Sequence, residues 1–418
     1  MERRGAAGTR TDGHARAQPP RRGVPRVLVA PGRGGPRGPR LQDRGRTSPV
    51  RAADRAPQAD RIRRVDDACG GRDVARGRDP PVRVPRHDRR RALRVLVTGA
   101  TGFTGGHLAR TLAARGDTVR ALVRDVNRAA DLAAAGIDLV AGDLRDASAI
   151  RRATQAIDVI YHIAAVYRQA GLPESTYHAV NAEAVGTIVE AAAASGVRRV
   201  VHCSTVGVHG DVERPPANED APLRPGDVYQ RTKVEGEAIA RAAGARTGVE
   251  VVIARPSGIY GPGDRRLLKL FRGIARRRFV ILGSGRIFYH LTYIDDLVEG
   301  FRLCGTVPAA AGRTYILAGA EVTTLNDVAA LIAQEAGVAP PRVHVPVWPF
   351  WLAGAACEAV CAPFGIEPPL YRRRVDFFTK SRAFDITRAR RELGFDPATG
   401  LREGIRKTLA AYRERGWI

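Results

Sequence analysis

Methionine occurs once in 418 residues, at Met1, and there are only three tryptophans and five cysteines. No apolar run approaches the ~18–20 residues that a membrane-spanning helix requires. The start of the chain lacks the apolar core of a secretory signal, its longest such run being Val27-Leu28-Val29-Ala30. It also lacks the serine of a transit peptide, since Ser48 is the one serine in residues 1–92. Cys69, Cys203, Cys304, Cys357 and Cys361 are odd in number and scattered, unlike the dense disulfide frameworks of small secreted domains. A reducing, cytoplasmic setting is therefore expected. Cys357 and Cys361 stand one helical turn apart with no third ligand type nearby, a pattern of packing rather than of metal binding.

Lysine is missing from residues 1–92, which hold 25 arginines and ten acids and carry +15 of the chain's net +25. Arg, Gly, Pro, Ala and Asp dominate there without the period of strand or helix, so too little apolar surface can be buried to offset ordering. Residues 1–92 read as a disordered leader. It is an inert tail, a basic tether for RNA or anionic lipid, or translated sequence upstream of a true start nearer Leu93. Its charge is not gathered on a foldable element, and nucleic acid is not the expected partner.

At Leu93 the texture changes. Strand-like runs at Leu93–Val97, Thr118–Val123, Asp138–Ala141, Val159–Ile163, Val200–Cys203, Val251–Ala254 and Thr314–Leu317 alternate with helical stretches such as Asn181–Ala194 and Lys233–Ala243. That alternation predicts an α/β fold, a Rossmann-like doubly wound parallel sheet with a smaller, mostly helical C-terminal region.

Between the first strand and its helix stands Thr98-Gly99-Ala100-Thr101-Gly102-Phe103-Thr104-Gly105. Gly99 permits a tight turn, Gly102 a close approach of backbone to a pyrophosphate, and Gly105 close helix–strand packing, with the helix start facing the phosphates. The second strand ends Leu122-Val123-Arg124-Asp125, with Val123 where an NAD enzyme carries an acid. A guanidinium pairs well with a 2′-phosphate, so Arg124 favours NADP, while Asp125 keeps NAD open. Asp143 in Gly142-Asp143-Leu144 is either an acceptor for adenine or a turn cap. Residues 93–255 are assigned to dinucleotide binding and 256–418 to the substrate, with about 291–320 returning to the core.

Tyr229 and Lys233 stand at i and i+4, on one helix face. A phenol ordinarily ionises near pH ~10, and a neighbouring cation favours the phenolate that takes the proton of an alcohol. Ser204-Thr205 follows the Val200–Cys203 strand, at the sheet end where ligands meet doubly wound folds.

These motifs resemble the extended short-chain dehydrogenase/reductase superfamily, of the NAD-dependent epimerase/dehydratase type. Supporting marks are Asp143-Leu144, Ala164-Ala165, Asn181 and Arg255-Pro256-Ser257-Gly258-Ile259-Tyr260-Gly261-Pro262, and the likeness spans roughly Leu93 to Ile418. It implies Tyr229 as acid/base and Lys233 as the group that lowers its pKa and grips the nicotinamide ribose. Thr205 would hold the reacting oxygen, with Ser204 its neighbour or substitute, and Asn181 would be structural. The cofactor would rest on Gly99, Thr101, Gly102, Phe103, Gly105, Arg124, Asp143, Leu144, Ala164, Ala165, Lys233 and Pro256.

Within the superfamily, sugar-nucleotide members usually carry Asn where this chain has Gly258. Arg255–Asp264 followed by Phe279–Gly283 resembles the 3β-hydroxysteroid and sterol-carboxylate dehydrogenases instead. The proline-interrupted run Val345–Gly354 resembles the segment that lines the substrate entrance or meets the membrane in those enzymes; core or a dimer face is the other reading. The expected function is interconversion of a secondary alcohol and a ketone on a steroid- or terpenoid-like small molecule by a homodimer with peripheral membrane contact. The alternatives are a nucleotide-sugar epimerase or dehydratase, and a non-catalytic NADP-sensing regulator. Asp295-Asp296 reads as helix-start charge, and Arg276–Arg278 and Arg372–Arg374 as solvated faces or attractors of a substrate anion. His162, His202 and His209 show no metal spacing, so no metal is expected.

Overall fold

The structure is a computed structural model and describes residues 92–418 except 170, 362 and 364–371, with backbone alone at 373 and 374. The leader, Cys69 and the side chains of Arg373 and Arg374 lie outside the described residues.

Six strands open the fold: β1 Arg94–Thr98, β2 Thr118–Val123, β3 Asp138–Ala141, β4 Val159–His162, β5 Arg199–Cys203 and β6 Glu250–Pro256. They are followed by β7 Gly258–Tyr260, β8 Ile281–Leu282, β9 Leu291–Tyr293, β10 Thr314–Leu317 and β11 His344–Val345. The main sheet runs β10-β6-β5-β4-β1-β2-β3, and every neighbouring pair in it is parallel. Two short ribbons, β7 with β9 and β8 with β11, lie outside it.

Successive strand residues face opposite sides of a sheet, and both sides here are covered. Val95, Val97, Tyr161, Val201 and Val252 join the core beneath the helices Phe103–Ala114 and Ile294–Thr306. Leu96, Ile160, Val200 and Ile253 join the opposite core, with Ile188 of Ala184–Ala194 and Ala240 of Val228–Thr247. Burial on both faces is why these strands read as continuous apolar runs. A fully buried arginine ties layers together: Arg199 Nε meets Glu250 at 2.7 Å, and its Nη1 donates to the carbonyls of Cys304 (3.0 Å) and Val307 (2.7 Å) at the end of Ile294–Thr306. It satisfies carbonyls that a helix terminus leaves without partners.

Three boundaries differ from expectation. The helix expected from Asn181 begins at Ala184, after a wider π turn over Ala179–Glu183. Gly236 packs there against the Asn181 carbonyl, where a Cβ would come within 2.3 Å of the oxygen. The helix expected over Lys233–Ala243 runs Val228–Thr247, because Asp227 caps it by accepting from the Gln230 N–H and Gly248, at φ +78°, ends it. The proline-interrupted segment is entered by the helix Trp348–Cys361, with Pro349 in the first turn, where a missing N–H costs nothing.

The chain places β2 and β3 on one side of β1 and β4 to β6 on the other. Loops leaving the carboxyl ends of β1 and β4 thus diverge and open a crevice, the place where doubly wound sheets bind ligands.

Candidate active site

Past β1, Gly99 takes φ +74°, and a Cβ there would lie 2.7 Å from the backbone N and Cα of Ala164. The Ala164-Ala165 turn after β4 is pressed onto it, fixed by Thr98 Oγ1, which accepts from the Ala164 N–H at 3.3 Å. A Cβ on Gly105 would come within 2.3 Å of the Gly99 carbonyl oxygen, so the helix Phe103–Ala114 starts against the turn itself. Gly102, whose N–H donates to Gly99 at 2.9 Å, caps that helix without a side chain. The first helical N–H groups are left facing the crevice beside exposed Thr101 and half-buried Phe103. This cradle, which any larger residue would fill, fits a dinucleotide pyrophosphate.

At the far end of the crevice Asp125 is turned into its own loop, accepting from the Asn127 N–H at 2.9 Å. Arg124 and Arg128 line the cavity, and neither side chain makes an ion pair or hydrogen bond with a described residue. Asp143 is committed elsewhere: its two oxygens accept from Arg145 Nε (2.8 Å) and Nη2 (3.1 Å), which hold its carboxyl below the ordinary value. Asp143 also accepts from the Arg145 N–H at 2.9 Å, as a turn cap does, and it borders the cavity. Leu144 and Pro256 also line the cavity.

Tyr229 lies in the first turn of Val228–Thr247 and borders the same cavity as Ser204 and Thr205. Burial pushes its phenol well above the ordinary value, helped by Cys203 and Tyr167, and the cation that pulls it down most is Arg168. Lys233, expected to make the phenol acidic, follows one turn later on the same helix. It is 1% exposed, its Nζ lies 3.4 Å from His202 Nε2, and burial lowers the ammonium's own pKa. His202 stacks on His162 with ring centroids 5.3 Å apart, and His162 Nδ1 meets Thr98 Oγ1 at 2.8 Å. The pair follows from register, because His162 and His202 are directly opposite on β4 and β5.

Thr205 accepts from the Gly207 N–H at 3.0 Å, fixing its hydroxyl at the cavity wall, whereas Ser204 is buried beneath it. Asn181 makes all its side-chain bonds within the fold, to Val166 N (2.8 Å), Val166 O (3.0 Å) and Thr232 Oγ1 (3.2 Å), and so ties the loop after β4 to the Tyr229 helix.

Three functional candidates escaped sequence reasoning. Tyr167 stands edge-on to Tyr229 at 4.9 Å, Arg168 pairs with Asp227 at 3.0 Å, and Arg382 reaches the same wall from far along the chain. Arg168 holds φ +35°, a conformation rare outside glycine and common at functional sites. The whole cavity measures about 1810 Å³, and in its wall Phe279, Tyr289, Phe377 and Phe378 form successive ring contacts. Among the described residues no three His, Cys, Asp or Glu side chains gather as metal ligands would, and no helix is long and apolar enough to cross a membrane.

Set beside known proteins, residues 95–318 match the NAD dependent epimerase/dehydratase family. The 3beta-hydroxysteroid-dehydrogenase/decarboxylase isoform 2 of Arabidopsis thaliana is 28% identical over 349 residues, 76% of this chain and 61% of that protein. This chain thus spans less than two thirds of that relative. Sterol demethylase protein B of Methylococcus capsulatus is 31% identical over 343 residues, 77% of this chain and 99% of the other. Among solved structures, the dTDP-glucose 4,6-dehydratase of Streptomyces venezuelae, with NAD and TYD bound, superimposes with a TM-score of 0.63 at 27% identity. It covers 78% of this chain and 98% of that one. With the glycine turn, the crevice and the seven-stranded parallel sheet in the same chain, the protein is an enzyme and belongs to the NAD dependent epimerase/dehydratase family.

Proposed function

We propose that the enzyme interconverts a secondary alcohol and a ketone on a lipophilic, steroid- or terpenoid-like substrate, in the manner of a 3β-hydroxysteroid dehydrogenase. The observation that carries this reading is the single cavity that brings Tyr229 and Thr205 together with the ring cluster of Phe279, Tyr289, Phe377 and Phe378. Apolar walls with a few fixed polar groups suit a ring-shaped alcohol. The names of the Arabidopsis and Methylococcus relatives agree with it.

Gly99, Thr101, Gly102, Phe103 and Gly105 would hold the dinucleotide phosphates, and Ala164, Ala165, Leu144, Pro256 and Lys233 would flank the rest. A bound nicotinamide supplies the acceptor or donor of two electrons and a hydrogen. The chain's own part is the proton and the geometry. Thr205 orients the substrate oxygen, and Tyr229 takes or returns its proton. Arg168 lowers the cost of the phenolate, and Asn181 fixes the loop that carries Tyr167 and Arg168. Arg124 and Arg128, whose side chains make no hydrogen bond or ion pair among the described residues, support NADP over NAD, with Arg124 on the 2′-phosphate.

A second reading, a nucleotide-sugar epimerase or dehydratase, is favoured by the likeness to the dTDP-glucose 4,6-dehydratase. Gly258 weighs against it, because a Cβ there would come within 2.9 Å of a Leu291 methyl and 3.3 Å of the His290 carbonyl oxygen. An asparagine does not fit without displacement. Incubation with a 3β-hydroxysteroid and oxidised cofactor tests the choice. Accumulation of reduced cofactor with the ketone supports the dehydrogenase, whereas conversion of a UDP- or dTDP-sugar without net cofactor change overturns it.

The helix Trp348–Cys361 exposes Trp348 (66%) and Trp351 (47%), rings that suit a membrane interface. Peripheral membrane contact belongs to the same proposal, and loss of vesicle co-sedimentation in Trp348→Ser/Trp351→Ser would support it. A homodimer is the proposed assembly, to be read from light scattering.

A further inference from the structure

A second cavity of about 430 Å³ adjoins the phosphate turn. Thr101, Gly102, Phe103 and Arg266 belong to its wall and to that of the main cavity. The Arg266 guanidinium lies over the Phe103 ring at 5.1 Å, so this pair is common to both spaces. The rest of the wall is basic, with Arg110, Arg265, Arg415 and His107. These side chains come from the helix Phe103–Ala114, from the loop after β7 and from the end of the helix Leu401–Glu414. Arg265 and Arg415 both lie over the Trp417 ring, at 4.8 and 5.3 Å. An aromatic face holds a cation in place and leaves its charge intact. Trp417 is itself fixed, its N–H donating to the Tyr412 carbonyl at 2.8 Å and its carbonyl accepting from Arg272 Nε at 2.7 Å. Gly263, at φ +93°, leaves room for Arg415, since a Cβ there would come within 3.0 Å of its Nη1. Of the acids around the cavity, fully buried Asp264 pairs with Arg266 Nε at 2.7 Å, Asp131 pairs with Arg110, and Asp295 acts on His107.

Two guanidiniums are thus preset on one ring at a cavity wall, with Arg110 and Arg266 alongside. A carboxylate fills one such fork, whereas a phosphoryl group has the oxygens and the charge to meet several. The dinucleotide's own phosphates belong to the glycine turn, whose residues Thr101 to Phe103 the two cavities share. We propose that the second cavity binds a phosphoryl anion separate from the cofactor, and that this anion opposes cofactor binding through the shared wall. Like charges repel across it, and by linkage each ligand weakens the other by the same factor. The inference is independent of which alcohol the enzyme oxidises.

The test uses the full chain with Trp348→Phe/Trp351→Phe, which leaves Trp417 as its sole tryptophan. Inorganic pyrophosphate is titrated with and without saturating oxidised cofactor, and cofactor is titrated by calorimetry at rising pyrophosphate. Trp417 fluorescence should report saturable binding in both cases. The apparent Kd for cofactor should rise about 5-fold or more and then level off. Arg265→Gln/Arg415→Gln should weaken pyrophosphate about 10–100-fold, the range for a charge-assisted hydrogen bond, with cofactor affinity in its absence kept. Arg265→Lys/Arg415→Lys keeps the charge, loses the forks and should fall between; it carries the test if the glutamine pair does not fold. A cofactor Kd that climbs in proportion to pyrophosphate without levelling, in wild type and variants alike, marks competition at the turn alone and overturns the site. So does a silent Trp417, or an affinity unchanged in the variants. Vesicles of phosphatidylcholine with and without phosphatidic acid give the source of the anion. Sedimentation with phosphatidic acid that needs Arg265 and Arg415 supports the site with a lipid headgroup in it, and pyrophosphate binding without such sedimentation supports it with a soluble phosphate.

Discussion

Lys233 Nζ lies 3.4 Å from His202 Nε2, so the buried ammonium of the active-site helix is anchored to the neighbouring strand by a neutral imidazole. Burial and the charge of Lys233 keep His202 well below its ordinary value, and burial brings its stacked neighbour His162 from 6.5 to about 3. Both are histidines whose folded pKa is depressed. Their contribution is complete above the unfolded value of 6.5 and is lost as pH falls toward the folded one. Denaturant melts should therefore show stability falling below pH ~6.5 by about 1.4 kcal/mol per pH unit for each such histidine. His162→Leu/His202→Leu should flatten that slope, and an unchanged slope would count against the assignment.

Replacing Tyr229 by Phe keeps the ring and removes the proton carrier. Turnover should fall by roughly 10²–10⁴-fold, the usual share of general acid–base catalysis, with cofactor affinity kept. Single-turnover kinetics and cofactor titration read the two halves separately.

Arg168 is the cation that most lowers the Tyr229 phenol. In Arg168→Gln the phenol should ionise at higher pH, and the rising limb of the pH–rate profile for alcohol oxidation, which follows formation of the phenolate, should move to higher pH. A purely structural loss would lower the rate at every pH without moving the limb.

Gly105→Ala places a Cβ against the Gly99 carbonyl, with 2.3 Å between them. Overpacking of this kind costs about 1–3 kcal/mol. Because the clash is inside the phosphate turn, cofactor affinity should drop further than that of Gly116→Ala, which has open space around it.

Arg124→Glu tests cofactor choice. If Arg124 meets a 2′-phosphate, the ratio of kcat/KM for NADP over NAD should fall about 10–100-fold, the worth of a charge-assisted hydrogen bond. An unchanged ratio would move the preference to Arg128 or dismiss it.

The sheet was legible because its strands are buried on both faces and therefore spelled as unbroken apolar runs, with Val95-Leu96-Val97 the clearest. The glycine turn was legible because three residues without side chains are needed within seven positions. What escaped was whatever tertiary packing decides. Nothing near Arg382 in sequence marks it as bordering the cavity with Tyr167, and His202 shows its partners only in the fold, where register sets it opposite His162 and packing brings Lys233 to it. Helix spacing put Lys233 on the face of Tyr229, but its contact with His202 is set by packing.

The stretch from Ser381 to Asp385 is stitched to Asp211–Ala217 and to Phe288–His290. One consequence concerns synthesis. The cavity wall around Arg382 is complete only when residues past 380 have emerged, and Leu401, Ile405, Leu409 and Tyr412 share one core with Val95 and Val97 of the first strand. A nascent or clipped chain ending before them would lack both that wall and part of the core under the first helix.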